Sequence, residues 1–218
     1  MQIQNHILTS LPVFKIENSL KKVIKFFKNS TFSHIAVVEK GRFLGVLSEN
    51  DLENFEVGNK IEDYRYNLDT FFVRKDTNWL DVLETFARNE ANILPVIGDN
   101  EDVLGYYDLT DIVSVFIDTP FFTEPGGILV VAKGIKDYSF SEIAQIVESN
   151  NTRLIGAFIT GIQNDVVQVT VKIAAANFNE ISQSFRRYNY HILFGNNDDL
   201  FLEDLKDRSD YLDKYLNV

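Results

Sequence analysis

The hydrophobic positions of the first 118 residues fall into a pattern that occurs twice. Leu20, Val23, Ile24 and Phe27 keep the i, i+3, i+4, i+7 spacing of a helix that buries one face, and Trp79, Val82, Leu83 and Phe86 repeat it 59 positions later. Asn18 and Thr77 precede the two runs and are the expected N-caps. A β-branched run follows in each copy, Ile35 to Val38 and Leu94 to Ile97, then a polar turn and a second strand, Phe43 to Leu47 and Val103 to Tyr107. The offset grows to 60 because the second turn holds one extra residue near Glu101, where an insertion costs least. Ser48-Glu49-Asn50-Asp51-Leu52 then aligns with Asp108-Leu109-Thr110-Asp111-Ile112, each predicting the start of another helix. The unit reads β-α-β-β-α twice, with repeat one over about 1–58 and repeat two over about 59–118.

Two prolines and a glycine pair break the periodicity within DTPFFTEPGG, which predicts a linker over 119–127. Beyond it the pattern changes. Ile128 to Ala132 reads as a strand, Phe140, Ile143, Ala144 and Val147 as a helix face, and Leu154 to Ile162 as a second strand. Val167, Val169, Val171 and Ile173 alternate with polar residues in the period of a half-buried strand. Phe178, Ile181 and Phe185 mark another helix and His191 to Phe194 a last strand, so 128–195 reads as a ferredoxin-like β-α-β-β-α-β domain. Residues 196–218 form an acidic tail whose Leu202, Leu205, Leu212, Tyr215 and Leu216 suit one side of a helix.

The order helix, h-x-V-V, turn, Leu-Gly-h-h-[Ser/Thr]-x-x-Asp-[Leu/Ile], met twice at a fixed offset, resembles the CBS domain, and residues 1–118 resemble a tandem CBS pair (Bateman module). The domain behind it resembles an ACT domain, although Tyr138-Ser139 stand where amino-acid-binding ACT domains carry a glycine before the first helix. The whole chain is similar to bacterial CBS–ACT proteins associated with acetoin utilisation. The resemblance implies a mixed α/β (α+β) regulatory protein that binds AMP, ADP or ATP.

The sharpest candidate chemistry lies in Gly45-Val46-Leu47-Ser48-Glu49-Asn50-Asp51, at a strand end and a helix start. Free N–H groups and a hydroxyl there suit a phosphate, and a carboxylate three residues on suits a ribose diol. The resemblance implies a nucleotide site of Gly45, Ser48 and Asp51, with adenine near Phe72, Val73, Asn92 and Ile93. Ser-x-x-Asp is also a helix-capping pattern, which is the alternative for Ser48 and Asp51. In the second copy Asp108 replaces the Ser or Thr and repels an anion, so a weaker second site would use Ser33, His34 and Asp111.

Composition narrows the classes further. Of the 218 residues 45% are hydrophobic, enough for sizeable cores, and the net charge of −11 opposes a phosphate backbone as main partner. No cysteine occurs, so thiol chemistry and disulfides are excluded. Three scattered histidines do not make a metal site, and no Walker A, G-x-S-x-G or HExxH pattern appears, so no catalytic residue and no required cofactor are expected. No signal peptide or spanning segment is recognised, which predicts a cytoplasmic protein that does not engage the membrane. The expected function is nucleotide sensing in a homodimer, with the state passed to the ACT-like domain or a protein target. The alternative is a ligand-free oligomerisation module.

Overall fold

The computed structural model describes residues 3–174 and 177–195; the expected helix of the acidic tail lies outside the described residues. The chain divides into two compact units at Ile117/Asp118. In the first unit, repeat one comprises β1 (Phe14–Lys15), α1 (Leu20–Phe27), β2 (His34–Glu39) and β3 (Arg42–Ser48), and repeat two comprises β4 (Val73–Arg74), α2 (Trp79–Arg88), β5 (Ile93–Ile97), β6 (Val103–Asp108) and α3 (Leu109–Ile117). Each repeat builds a three-stranded sheet in which the short first strand runs parallel to the second and the hairpin is antiparallel.

The expected helices form with the expected buried faces, but their caps sit one residue later than predicted. Ser19 Oγ accepts from Lys21 N at 3.2 Å, and Asn78 Oδ1 accepts from Leu80 N at 2.9 Å. Asn18 and Thr77 instead accept from the backbone of Lys15 and Arg74, closing the turn that leads into each helix. The extra turn residue is confirmed: four residues separate Val38 from its partner Phe43, with Glu39 and Arg42 paired around a Lys40-Gly41 turn of positive φ, whereas five separate Ile97 from Val103 and include Glu101 at φ 62°. The segment after β3 differs from expectation. It is a five-residue 3-10 turn, Asn50–Asn54, while its counterpart is the nine-residue α3. Asn50, Asp51 and Asn54 favour local side-chain bonding over an α-helix, and Leu109 to Ile117 is largely apolar.

The two repeats exchange their leading segments. Leu8 forms a reciprocal pair of backbone hydrogen bonds with Tyr106 on β6, at 2.8 and 3.0 Å, and Asp69 forms the same pair with Val46 on β3, at 2.8 and 3.0 Å. Side chains follow: Ile3 is 1% exposed in the core of repeat two, and Ile61 is fully buried in the core of repeat one. Burying one such isoleucine contributes roughly 1.5–3 kcal/mol. A third cluster, Ala36, Ile93 and Tyr106 with Leu11, Val13, Phe32, Phe43 and Val103 around it, joins the two sheets. Within it Tyr106 Oη accepts from Ala36 N at 3.1 Å and donates to Pro12 O at 2.8 Å, and burial pushes the phenol up to about 12.

This exchange explains the Leu-Gly of each repeat. A Cβ on Gly45 would stand 2.7 Å from the Asp69 carbonyl oxygen and 2.9 Å from Leu68 Cβ, and one on Gly105 only 2.5 Å from the Leu8 carbonyl oxygen. Both glycines follow the irregularity where their hairpin register shifts. Gly45, expected at the nucleotide, is thus required by the crossing backbone.

The second unit carries a one-turn α4 (Pro120–Thr123) within the expected linker, then β7 (Gly126–Gly134), α5 (Phe140–Ser149), β8 (Leu154–Gln163), β9 (Val166–Ala174), α6 (Phe178–Arg187) and β10 (His191–Phe194). The antiparallel sheet has the order β10-β7-β9-β8, the ferredoxin-like arrangement. Leu129, Val131, Val167, Val169, Val171 and Ile173 point from one face into Ile143, Val147, Ile181 and Phe185 of the two helices. Phe121 of α4 packs its ring 5.5 Å from Phe158 on β8.

Gly105→Ala is expected to lower the stability of the first unit by about 1–3 kcal/mol, the usual cost of overpacking. Gly58→Ala, which meets nothing within 4 Å, is the control and should cost nothing. Urea unfolding of both variants checks this; equal midpoints would contradict the close-approach reading.

Candidate functional site

At the end of β3 the strand register sets His34 directly opposite Ser48, so their side chains share the face turned toward the other repeat, as Ala36 does. His34 is only 8% exposed. Its Nδ1 lies 2.8 Å from Ser33 Oγ, and its ring meets Phe71 edge-on with centroids 5.1 Å apart. Burial holds the imidazole below its ordinary 6.5, against the opposing pull of the Asp69 and Asp51 carboxylates.

Ser33 and Asn92, which occupy matching positions of the two repeats, clamp one another. Ser33 N donates to Asn92 Oδ1 at 2.8 Å, and Asn92 N donates to Ser33 Oγ at 3.0 Å. Asn92 Nδ2 also donates to Thr31 O at 2.6 Å. The carbonyls of the pair receive Glu49 N and Leu109 N, at 2.9 and 3.0 Å, which anchors the turn after β3 and the start of α3 to the same junction. Ser33 Oγ thus bridges the Asn92 backbone and the His34 ring.

The two strand ends differ in chemistry. Ser48 Oγ accepts from Asn50 N at 3.1 Å, a local turn that leaves the hydroxyl proton for a further acceptor. Asp108 Oδ1 accepts from Thr110 N at 2.7 Å and from Asp111 N at 3.4 Å. The protein's own carboxylate therefore fills the N-terminus of α3. After Ser48 a 3-10 turn replaces the expected helix, and with it goes most of the dipole that would draw a phosphate.

The structure therefore brings together Ser33, His34, Ser48, Asp51 and Asn92, and adds Asp69 and Phe71. His34 stands opposite Ser48 and feels the Asp51 carboxylate. Ile93, 1% exposed, lies opposite Asp108 and faces repeat one. Two expected residues stand elsewhere. Phe72 points to the far end of β3, where its ring meets Phe43 at 5.4 Å, and Val73 is buried in the core of repeat two. The reason is strand alternation: a shift of one residue turns a side chain to the other face. The neighbouring Phe71 is the ring that reaches His34. The repeat alignment marked the segment, but not its facing.

Among the described residues no group of three or more histidine, aspartate or glutamate side chains is placed to hold a metal, and no helix is long and apolar enough to cross a membrane.

A duplicated α/β pair with exchanged leading segments and a polar junction at its centre, followed by a ferredoxin-like unit, defines a tandem-repeat α/β protein. The chain belongs to the CBS domain family, whose sequence model matches residues 5–57 and 61–118. It is 26% identical over 98 residues to the uncharacterized protein MJ0188 of Methanocaldococcus jannaschii, covering 44% of this chain and 37% of that one. The chain spans little more than a third of the length of such relatives. Among solved structures it is similar to a CBS domain pair/ACT domain protein from Thermotoga maritima, with 19% identity, TM-score 0.49, and 54% of this chain and 98% of that one covered. It is also similar to CBSX2 in complex with AMP, with 18% identity, TM-score 0.44, and 53% and 96% covered.

The direction of the His34 shift carries a pH dependence. With its folded value below 6.5, the unfolded chain binds the proton more readily, so stability from this residue is complete above about pH 6.5 and is lost as pH falls below it. Chemical denaturation between pH 5 and 8 should show this decline, and His34→Gln should flatten it. An unchanged slope in the variant would remove His34 from the account.

Proposed function

We propose that the CBS pair is a sensor for an adenosine nucleotide, bound at the junction of Ser48, Asp51, His34 and Phe71, and that its occupancy is passed to the second unit or to a protein partner. The observation that supports this most is the set of complementary groups at one strand end. Asp51 supplies a carboxylate for a ribose diol, Ser48 a hydroxyl proton, His34 an imidazole and Phe71 an aromatic ring. The matching end of β6 offers Asp108, whose carboxylate already serves the N-terminus of α3, and Ile93 in place of the histidine. The proposed site is therefore single.

Its electrostatics refine the ligand. Glu49, Asp51 and Asp69 surround a 3-10 turn with little dipole, which favours a nucleoside or monophosphate over a triphosphate. No catalytic role is assigned. The resemblance to acetoin-utilisation CBS–ACT proteins rests on domain order and names no target for this chain. A homodimer is proposed as the working form, supported by β8, an edge strand of ten residues on which Phe158, Ile159 and Ile162 are 38–55% exposed. The alternative of a ligand-free module draws on the Ser33–Asn92 clamp, which satisfies the junction without any ligand.

Calorimetric titration with AMP, adenosine and ATP separates these readings. AMP and adenosine are expected to bind more tightly than ATP. Asp51→Ala should weaken AMP about ten- to a hundredfold, the worth of a hydrogen bond to a charged group, while Asp111→Ala has little effect. Absence of binding by all three ligands, or loss confined to Asp111→Ala, would contradict the assignment.

A further inference from the structure

The opposite end of the pair, where the two hairpin turns meet, carries a feature that the Ser48–Asp51 junction does not use. Phe43, Leu44, Thr70, Phe72, Arg74, Ile97 and Glu101 line a cavity of about 220 Å³. A wider opening of about 480 Å³ beside it shares Phe43, Leu44 and Glu101 and adds Glu39, Lys40 and Arg42. The floor is held rigidly, since Phe43 N donates to Glu101 O at 2.7 Å and so ties the first hairpin to the turn of the second.

The lining combines two chemistries. Phe43 and Phe72 meet edge to face at 5.4 Å, and Phe72 is 37% exposed. The Arg74 guanidinium stands over that ring at 5.7 Å. Among the described residues no carboxylate lies within ion-pair distance of Arg74 or Lys40, and the nearby Glu39 is taken by two hydrogen bonds from Arg65, at 2.7 and 3.0 Å. Arg42 reaches Glu101 only at 3.8 Å. In a chain of net charge −11, Arg74 at the aromatic cavity with Lys40 and Arg42 at the opening beside it outnumber Glu101, the one lining carboxylate not held by Arg65. The repeat does not require the rings, since the positions matching Phe72 and Phe43 hold Val13 and Val103, whereas Lys15 keeps a cation at the position matching Arg74.

We propose that this hairpin-end cavity is a second ligand site, for a small anion carrying a planar ring, with the ring against Phe72 and the charge toward Arg74, Lys40 and Arg42. A flat π-system stacks on phenylalanine whatever its substituents, and an arginine beside the ring supplies both cation–π contact and a fork for a carboxylate or phosphate. Two sources share this chemistry, a nucleoside monophosphate and an aromatic carboxylate.

The test titrates the ¹⁵N-labelled full chain with AMP, 2-naphthoate, adenosine and inorganic phosphate, following backbone amides. Amides of Leu44, Phe72, Arg74 and Glu101 are expected to shift with 2-naphthoate, with AMP, or with both, which separates the two sources, and not with phosphate alone. Arg74→Gln and Phe72→Leu should each weaken that response at least about tenfold without changing the unfolding midpoint of the free protein, and Asp51→Ala should leave it intact. Shifts confined to Ser48–Asp51, a response to phosphate alone, or an unchanged response in Arg74→Gln would overturn the proposal. Because 2-naphthoate has no ribose, its binding is read independently of the Asp51 site.

Discussion

The first unit depends on one constraint, the exchange of leading segments between its repeats. The backbone at Leu8 completes the sheet of repeat two and that at Asp69 completes the sheet of repeat one, each through two hydrogen bonds. Ile3 and Ile61 seal the cores on which their segments close. Neither repeat is finished without residues that precede the other. The apolar cluster around Ala36, Ile93 and Tyr106 and the Ser33–Asn92 clamp add direct contacts, so the pair is joined by backbone, core and polar junction at once.

That constraint also places the chemistry. Since the crossing strand at Asp69 lies along β3, it carries the Asp69 carboxylate and the Phe71 ring to the end where His34 faces Ser48. Alternation then sends Phe72 the other way, into the hairpin-end cavity. The duplication alone would make the two strand ends equal. Substitution has made them unequal, with Ser48 and His34 at one and Asp108 and Ile93 at the other.

Much of this was legible in the sequence. The helical faces, the hairpins and the extra residue near Glu101 followed from periodicity and from comparing the copies, because buried positions must repeat wherever the architecture does. Ser48, Asp51 and the loss of Ser or Thr at Asp108 were visible for the same reason. The caps at Ser19 and Asn78 were missed by one residue, since Asn18 and Thr77 carry equally good acceptors and only backbone geometry decides between them. The 3-10 turn after β3 was missed because its motif matches the residues that start α3. Gly45 looked like a ligand contact, since a sequence does not show which backbone passes over it. The pairing of Phe71 with His34 could not be read from periodicity, as a two-residue strand has no period to count.

The account rests most heavily on the two repeats behaving as one interlocked body, and native-state amide hydrogen exchange measures that directly. The amides of Val46 and Tyr106, which bond across the exchange, should open with the same free energy as the core amides of both sheets, such as Val37 and Val96. Mild denaturant should lower all of them in parallel. If the core of one repeat exchanged at a distinctly lower free energy while Val46 and Tyr106 followed only one of the two sheets, the repeats would be separate folding units and the account would fail.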